Sequence, residues 1–208
     1  LWGLSTARSG REKKGDIILI RYSLPATRLV ETLQKKILES GRHPVLRSGL
    51  TPVMEKQFYQ ISTTPQLTFQ APGEKELVEA INGSIFIHAP ESITHLSNVD
   101  PERIGKAALS RKYLKDILDT RESNGDFGWT LGVFPTDELA RHAKISKDEY
   151  AKQMARACFI DRRDPVSLWE GVFKNATYLK KRLNSMKVTK FHIESENIDL
   201  EITPGERR

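Results

Sequence analysis

Two imidazoles and a carboxylate, His88, Glu91 and His95, lie close together at the end of a short apolar run. A strand end followed by a loop can gather such donors around zinc, which takes nitrogen and oxygen ligands of these types. Their spacing matches no metal-binding signature, and the competing reading is a solvated loop bent by Pro90. Cys158 would be a nucleophile if a histidine and an orienting Asn or Asp stood beside it. Its place between Met154 and Phe159 on an apolar helix face predicts a buried, inert thiol instead. Gly125, Gly128 and Gly132 would cradle a phosphate only if they linked a strand to a helix, and they precede or lie within a strand. Asp161-Arg162-Arg163-Asp164 reads as a charged connection between helices. Composition and spacing therefore assign no catalytic residue, no metal ligand and no substrate-binding residue.

The elements that must position these residues are marked by periodicity and punctuation. The clearest is the stretch 125–140, an apolar run that opens on glycines and closes on Pro135. Thr136 follows as an N-cap, with Asp137 and Glu138 in the anion-favouring first turn. This predicts a strand passing through a tight turn into a helix, and Trp129 within it is expected in the core. In open α/β folds such strand ends are where loops meet ligands or a second domain.

Earlier in the chain, the apolar run from Asp16 to Tyr22 reads as a strand buried on both faces. Ala26, Leu29, Val30, Leu33, Ile37 and Leu38 form a helical stripe ended by Gly41, and Pro44-Val45-Leu46-Arg47 is the next strand. Together they make a βαβ unit. Thr51-Pro52 starts a helix with Val53, Met54, Phe58 and Ile61 spaced for burial; 66–70 is a weaker strand, 74–81 a helix and 84–88 a core strand. Asp100-Pro101 opens a helix to about Arg121. Ser146 announces another, and Asp164-Pro165 starts a long one. Its buried face is expected to comprise Val166, Trp169, Val172, Phe173, Ala176, Leu179, Leu183 and Met186. Segments 188–193 and 198–202 read as strands. The expected fold is an open, mostly parallel α/β sheet with helices on both faces, with Ile18, Ile20, Ile85, Ile87, Leu131 and Val133 in adjacent central strands.

Length and composition bound the partners. The 208 residues suit one large domain, which would bury roughly 70% of its unfolded-chain surface without a metal or disulfide staple. Hydrophobic residues make up 38% and charged ones 29%, and the mean hydropathy is negative, as in a soluble globular chain. The apolar runs are strand-sized, so no membrane partner is expected, and no secretory signal is read at the N-terminus. A lone cysteine agrees with a cytoplasmic location. The net charge of +6 is all N-terminal: residues 1–60 hold eleven Lys and Arg against five Asp and Glu, and the remainder balances. Basic residues are not interleaved with aromatics along a groove, so a solvated basic face is expected and no nucleic-acid partner.

Gly128-Trp129-Thr130-Leu131-Gly132-Val133-Phe134-Pro135-Thr136, followed by Leu139-Ala140, resembles a segment of the aminopeptidase T and aminopeptidase S family, the thermophilic metalloproteases. The likeness continues in register through Lys144-Ile145-Ser146, Glu149-Tyr150 and Asp164-Pro165 with Trp169. Lys14-Gly15-Asp16-Ile17-Ile18-Leu19-Ile20 resembles the family's first strand. Near the end the family's Gly-Thr-Asp-Leu is replaced by Asn197-Ile198-Asp199-Leu200. The resemblance covers residues 11–208 and implies an exopeptidase that removes N-terminal amino acids with two divalent ions such as zinc, cobalt or manganese. It implies that the ligands belong to a C-terminal catalytic domain beginning about where this sequence ends, so that residues 1–208 form a single non-catalytic N-terminal domain, inactive alone. The partners it implies are that catalytic domain, a peptide substrate and, at full length, a second copy in a homodimer. The alternative from a different class is a free-standing module that binds a nucleotide or other small ligand at the strand ends.

Overall fold

Short apolar runs separated by capped helices fold into a parallel sheet whose helices supply both the crossovers and the cover. The computed structural model describes residues 1–8, 10, 13–186 and 188–205. The chain divides into two units, Leu1–Met154 and Ala155–Arg208. The first begins with helix α1 (Trp2–Ala7), which the aperiodic N-terminal sequence did not announce, and continues with β1 (Ile17–Tyr22) and α2 (Thr27–Glu39). Gly41, just past α2, takes a φ of +74°, the left-handed conformation that turns the chain into β2 (His43–Ser48). Next come α3 (Pro52–Ile61), α4 (Thr64–Leu67), α5 (Glu74–Ala80) and β3 (Gly83–His88). The unit continues with α6 (Pro101–Ser110), α7 (Lys112–Ser123), β4 (Gly128–Val133) and α8 (Asp137–His142), followed by α9 (Lys147–Ala157), which crosses the boundary between the units.

The four strands are all parallel, in the order β2-β1-β3-β4. Side chains alternate between faces along a strand. Ile18, Ile20, Ile85 and Ile87 therefore share one face, where they pack with Leu4 of α1 and with Val30 and Ile37 of α2. Leu19 looks the other way and packs with Ile81, Leu77 of α5, Leu118 of α7 and Phe127. The expected α/β sheet with helices on both faces is thus observed, and β1, β3 and β4 are neighbours. β4, however, is the edge strand.

That edge position corrects one expectation: Trp129 is 52% exposed. Its indole N–H donates to the Glu122 carboxylate at 3.1 Å, so this side chain is spread over the surface and absent from the core. Leu131 and Val133 share its face and are exposed too. Other departures have local causes. Residues 66–70 form no strand, because Thr63 caps α4 through a capping box with Gln66 and Pro at the first turn. The expected helix from Asp100 to Arg121 breaks at Arg111 into α6 and α7. Val53, Met54 and Ile61 of α3, and Leu38 of α2, are exposed.

The second unit contains α10 (Pro165–Ser185) and an antiparallel hairpin of β5 (Phe191–Ser195) and β6 (Ile198–Ile202). Asp164 caps α10 as expected, its carboxylate accepting from the Ser167 N–H at 3.1 Å. The stripe expected to be buried is not: Val172, Phe173, Leu179, Leu183 and Met186 are all exposed, as are Phe191, Ile193, Ile198, Leu200 and Ile202 on the hairpin. An amphipathic stripe specifies a surface that gains from being covered, and does not itself provide the cover.

Candidate functional site

The strand order changes direction between β1 and β3, since β2 lies on one side of β1 and the pair β3-β4 on the other. At such a switch point the loops leaving the carboxyl ends diverge and open a crevice. The crevice here has a volume of about 430 Å³ and is bounded by the ends of β1, β2 and β3 and by α3.

Its floor is supplied by the sheet. Arg21 and Phe86 are register partners across β1 and β3, and His88 follows Phe86 on the same face. The Arg21 guanidinium carbon lies 5.7 Å from the centroid of the Phe86 ring, and the His88 ring is centred 5.9 Å from it. Stacking on an aromatic face restrains a guanidinium while leaving its in-plane N–H donors free. Backbone bonds tie the strand ends together. The Gly49 N–H donates to the Tyr22 carbonyl at 2.7 Å and the Ser23 N–H to the Ile87 carbonyl at 3.2 Å. The Ser23 hydroxyl accepts from the Ala89 N–H.

The walls come from α3 and from the loop after β3. His95 Nε2 lies 2.8 Å from Glu55 Oε2, and its other ring nitrogen, Nδ1, is buried without a partner. Glu91 is exposed on the same loop. The loop is anchored from α8, where Glu138 Oε1 accepts from the Ile93 N–H at 3.1 Å. Hydrogen bonds from Arg141 first, and then from the Ile93 amide, hold the Glu138 carboxyl below the usual carboxylate range.

His88, Glu91 and His95 therefore do line one cleft. They do not make a metal cage: His95 is engaged by Glu55, and among the described residues no three His, Cys, Asp or Glu side chains converge to hold an ion. The two divalent ions implied by the family resemblance do not fit this donor set, and no reaction step is assigned to it. Sequence reasoning missed Arg21 and Glu55. The available signal was a cation closing a strand that is otherwise apolar on both faces.

The other candidates lie elsewhere. Cys158 is exposed, which corrects the expected buried thiol; its carbonyl accepts from the Trp169 indole at 3.2 Å. Cys158 lies just past the end of α9 at Ala157, in the turn where Phe159 takes a φ of +59°, and so is not on the helix face. Gly125, just past α7, takes a left-handed φ of +77°, and Gly128 at the amino end of β4 serves packing. A Cβ on Gly128 would stand 2.9 Å from Arg8 Cβ and 3.1 Å from the Arg8 nitrogen. Arg8 is itself no part of a solvated basic face, because its guanidinium pairs with Asp16 at 2.8 Å with both side chains at most 10% exposed. Among the described residues no helix is long and apolar enough to cross a membrane.

A model of the thermophilic metalloprotease (M29) family matches residues 5–208. No curated protein matches the sequence. Among solved structures, wild-type AmpT from Thermus thermophilus is similar with a TM-score of 0.66 at 16% identity, over 97% of this chain and 52% of that one. The likeness is one of fold, and the chain spans about half the length of that protein.

Proposed function

Starting from the thermophilic metalloprotease (M29) family, to which the chain belongs, we propose that these residues are the N-terminal, non-catalytic part of a metal-dependent aminopeptidase. The observation that carries the reading is coverage: 97% of this chain is matched, but only 52% of AmpT. The apolar faces of α10 and of the hairpin support it. Contiguous exposed apolar patches are uncommon on soluble monomers, and a following domain or a second copy in a homodimer would cover them.

In this reading a further part of the polypeptide would hold two divalent ions, zinc, cobalt or manganese, and these would supply Lewis-acid activation for peptide hydrolysis. Residues 1–208 carry that part and shape the approach of a peptide N-terminus to it. The cellular site is the cytoplasm.

The test is elemental analysis of the dialysed chain together with an assay on leucine p-nitroanilide in added zinc, cobalt or manganese. Metal well below stoichiometric and no turnover are expected, with activity appearing in a longer polypeptide that continues past residue 208. Stoichiometric metal with turnover that His88→Ala abolishes would overturn the reading.

A further inference from the structure

A second cavity lies within the first unit, on the half-covered face of the sheet beneath α5 and α7. Its volume of about 370 Å³ falls within the range of roughly 300 to 1,000 Å³ usual for small-ligand sites. The strand register fixes its floor. Leu19 of β1 pairs with Val45 of β2 and Ser84 of β3, and two residues further Arg21 pairs with Arg47 and Phe86. Residues two apart on a strand share a face, so an apolar row lies beside a row that carries two arginines. The helices extend this division. Leu77 of α5 and Leu118 of α7 pack on Leu19 and Ile81. Both helices lead into the amino end of the next parallel strand, so their first turns lie toward the carboxyl end, and there Glu74, Arg111 and Lys115 line the cavity.

The cavity is therefore aliphatic at one end and basic at the other. Ser84 keeps the aliphatic end open, being small between its large register neighbours Leu19 and Trp129, and its hydroxyl is buried without a hydrogen-bond partner. The charges do not balance. Arg21, Arg47, Arg111 and Lys115 line the cavity against the single carboxylate of Glu74. Arg47 is paired with Glu74 and Lys115 with Asp119, while Arg21 is stacked on Phe86. Arg111 donates from Nη1 to the Ala107 carbonyl at 3.1 Å and has no carboxylate partner among the described residues. Like charges on register partners repel, as Arg21 and Arg47 must, and an anion nearby relieves them.

A guanidinium fork matches a carboxylate, which it binds through two parallel N–H donors. The aliphatic end selects what the carboxylate is attached to. A nucleotide would bury its base and sugar against leucine and isoleucine with hydrogen bonds unmet, and an ammonium group would add one more cation to the basic end. An alkyl chain carries neither cost and gains from leaving water.

We propose that this cavity binds a medium-chain aliphatic carboxylate, its tail over Leu19 and Ser84 between α5 and α7 and its carboxylate on Arg111. The site lies within the first unit and does not depend on the peptidase reading.

Calorimetric titration of the purified chain with butanoate, hexanoate, octanoate, 1-octanol, inorganic phosphate and AMP tests it. Saturable octanoate binding is expected, with affinity rising roughly three- to fourfold for each CH2 added from butanoate upward. Arg111→Gln should weaken octanoate at least about tenfold, the effect of losing a charge-assisted pair, and leave 1-octanol, which has no carboxylate, unchanged. Ser84→Leu should fill the aliphatic end and weaken octanoate and 1-octanol alike. Arg111 is exposed, so its variant should unfold at the wild-type midpoint without ligand and decides the matter even if the leucine variant does not fold. Four results would each overturn the proposal: no saturable binding of octanoate up to about 20 mM, where even a millimolar site fills; an affinity that does not rise with chain length; tighter binding of phosphate or AMP; or unchanged octanoate affinity in Arg111→Gln or in a folded Ser84→Leu. Because the readout is binding, failure here leaves the peptidase reading untouched, and failure of the peptidase assay leaves this one untouched.

Discussion

The two faces of the parallel sheet are built from the same strands and differ sharply. Beneath α1 and α2, Ile18, Ile20, Ile85 and Ile87 are at most 5% exposed. On the opposite face α5 and α7 cover the strands around Leu19, and the edge strand β4 stays open, with Trp129 and Leu131 each 52% exposed. The difference shows how one sheet divides its tasks. A face covered over its central strands stabilises the fold, and a half-covered one leaves Arg21, Phe86 and His88 available beside the switch point.

The comparison can be broken most directly at Ile20, which is fully buried on the covered face. Ile20→Ala is expected to cost about 2 to 5 kcal/mol, the usual range for emptying a large aliphatic core site, as read by urea denaturation. A cost under 1 kcal/mol would mean that this face is not the stabilising one. Gly128→Ala, on the same face, should cost about 1 to 3 kcal/mol through overpacking against Arg8. A control at Gly132, where a Cβ would meet only Ile87 at 3.5 Å, should lack that clash.

On the open face the expected effects are smaller. Trp129→Ala should cost no more than about 1 kcal/mol, the worth of one exposed hydrogen bond; a cost of about 3 to 5 kcal/mol would show that the indole is in fact core. The smallest effect concerns the loop that walls the cleft. The Glu138 carboxyl titrates below its ordinary value, so the stability it contributes is present above the usual carboxylate range. That contribution is lost as the pH falls through the lowered folded-state value. Hydrogen exchange at the Ile93 amide should therefore speed up relative to its neighbours as acid protonates Glu138. In Glu138→Gln the Ile93 amide should exchange faster already at neutral pH and lose that pH dependence.

Much of this was legible without coordinates. Asp100, Thr136 and Asp164 cap helices where their side chains and the following residues said they would, because a cap is an interaction between residues two or three apart. The apolar runs containing Ile18, Ile20, Ile85 and Ile87 became neighbouring buried strands, since a run apolar on both faces is stable only inside a covered sheet. His88, Glu91 and His95, close in sequence, line one cleft. Glu55 and Arg21 were not legible as part of it, because they reach the cleft from other elements and share no sequence pattern with it.

What the sequence by itself determined is therefore the local and the periodic: the caps, the α/β alternation and the apolar stripes that demand burial. Only the tertiary structure decided which stripes were covered. Trp129 and Leu131 carry the same strand pattern as Ile85 and Ile87 but fell on the open face of an edge strand. α10 carries an apolar stripe as α2 does, yet Val172, Phe173, Leu179 and Leu183 on it are exposed. Periodicity reports that a side chain would gain from leaving water. Whether it does depends on strand order and on which helix lies over it, and those follow from contacts between residues far apart in the chain.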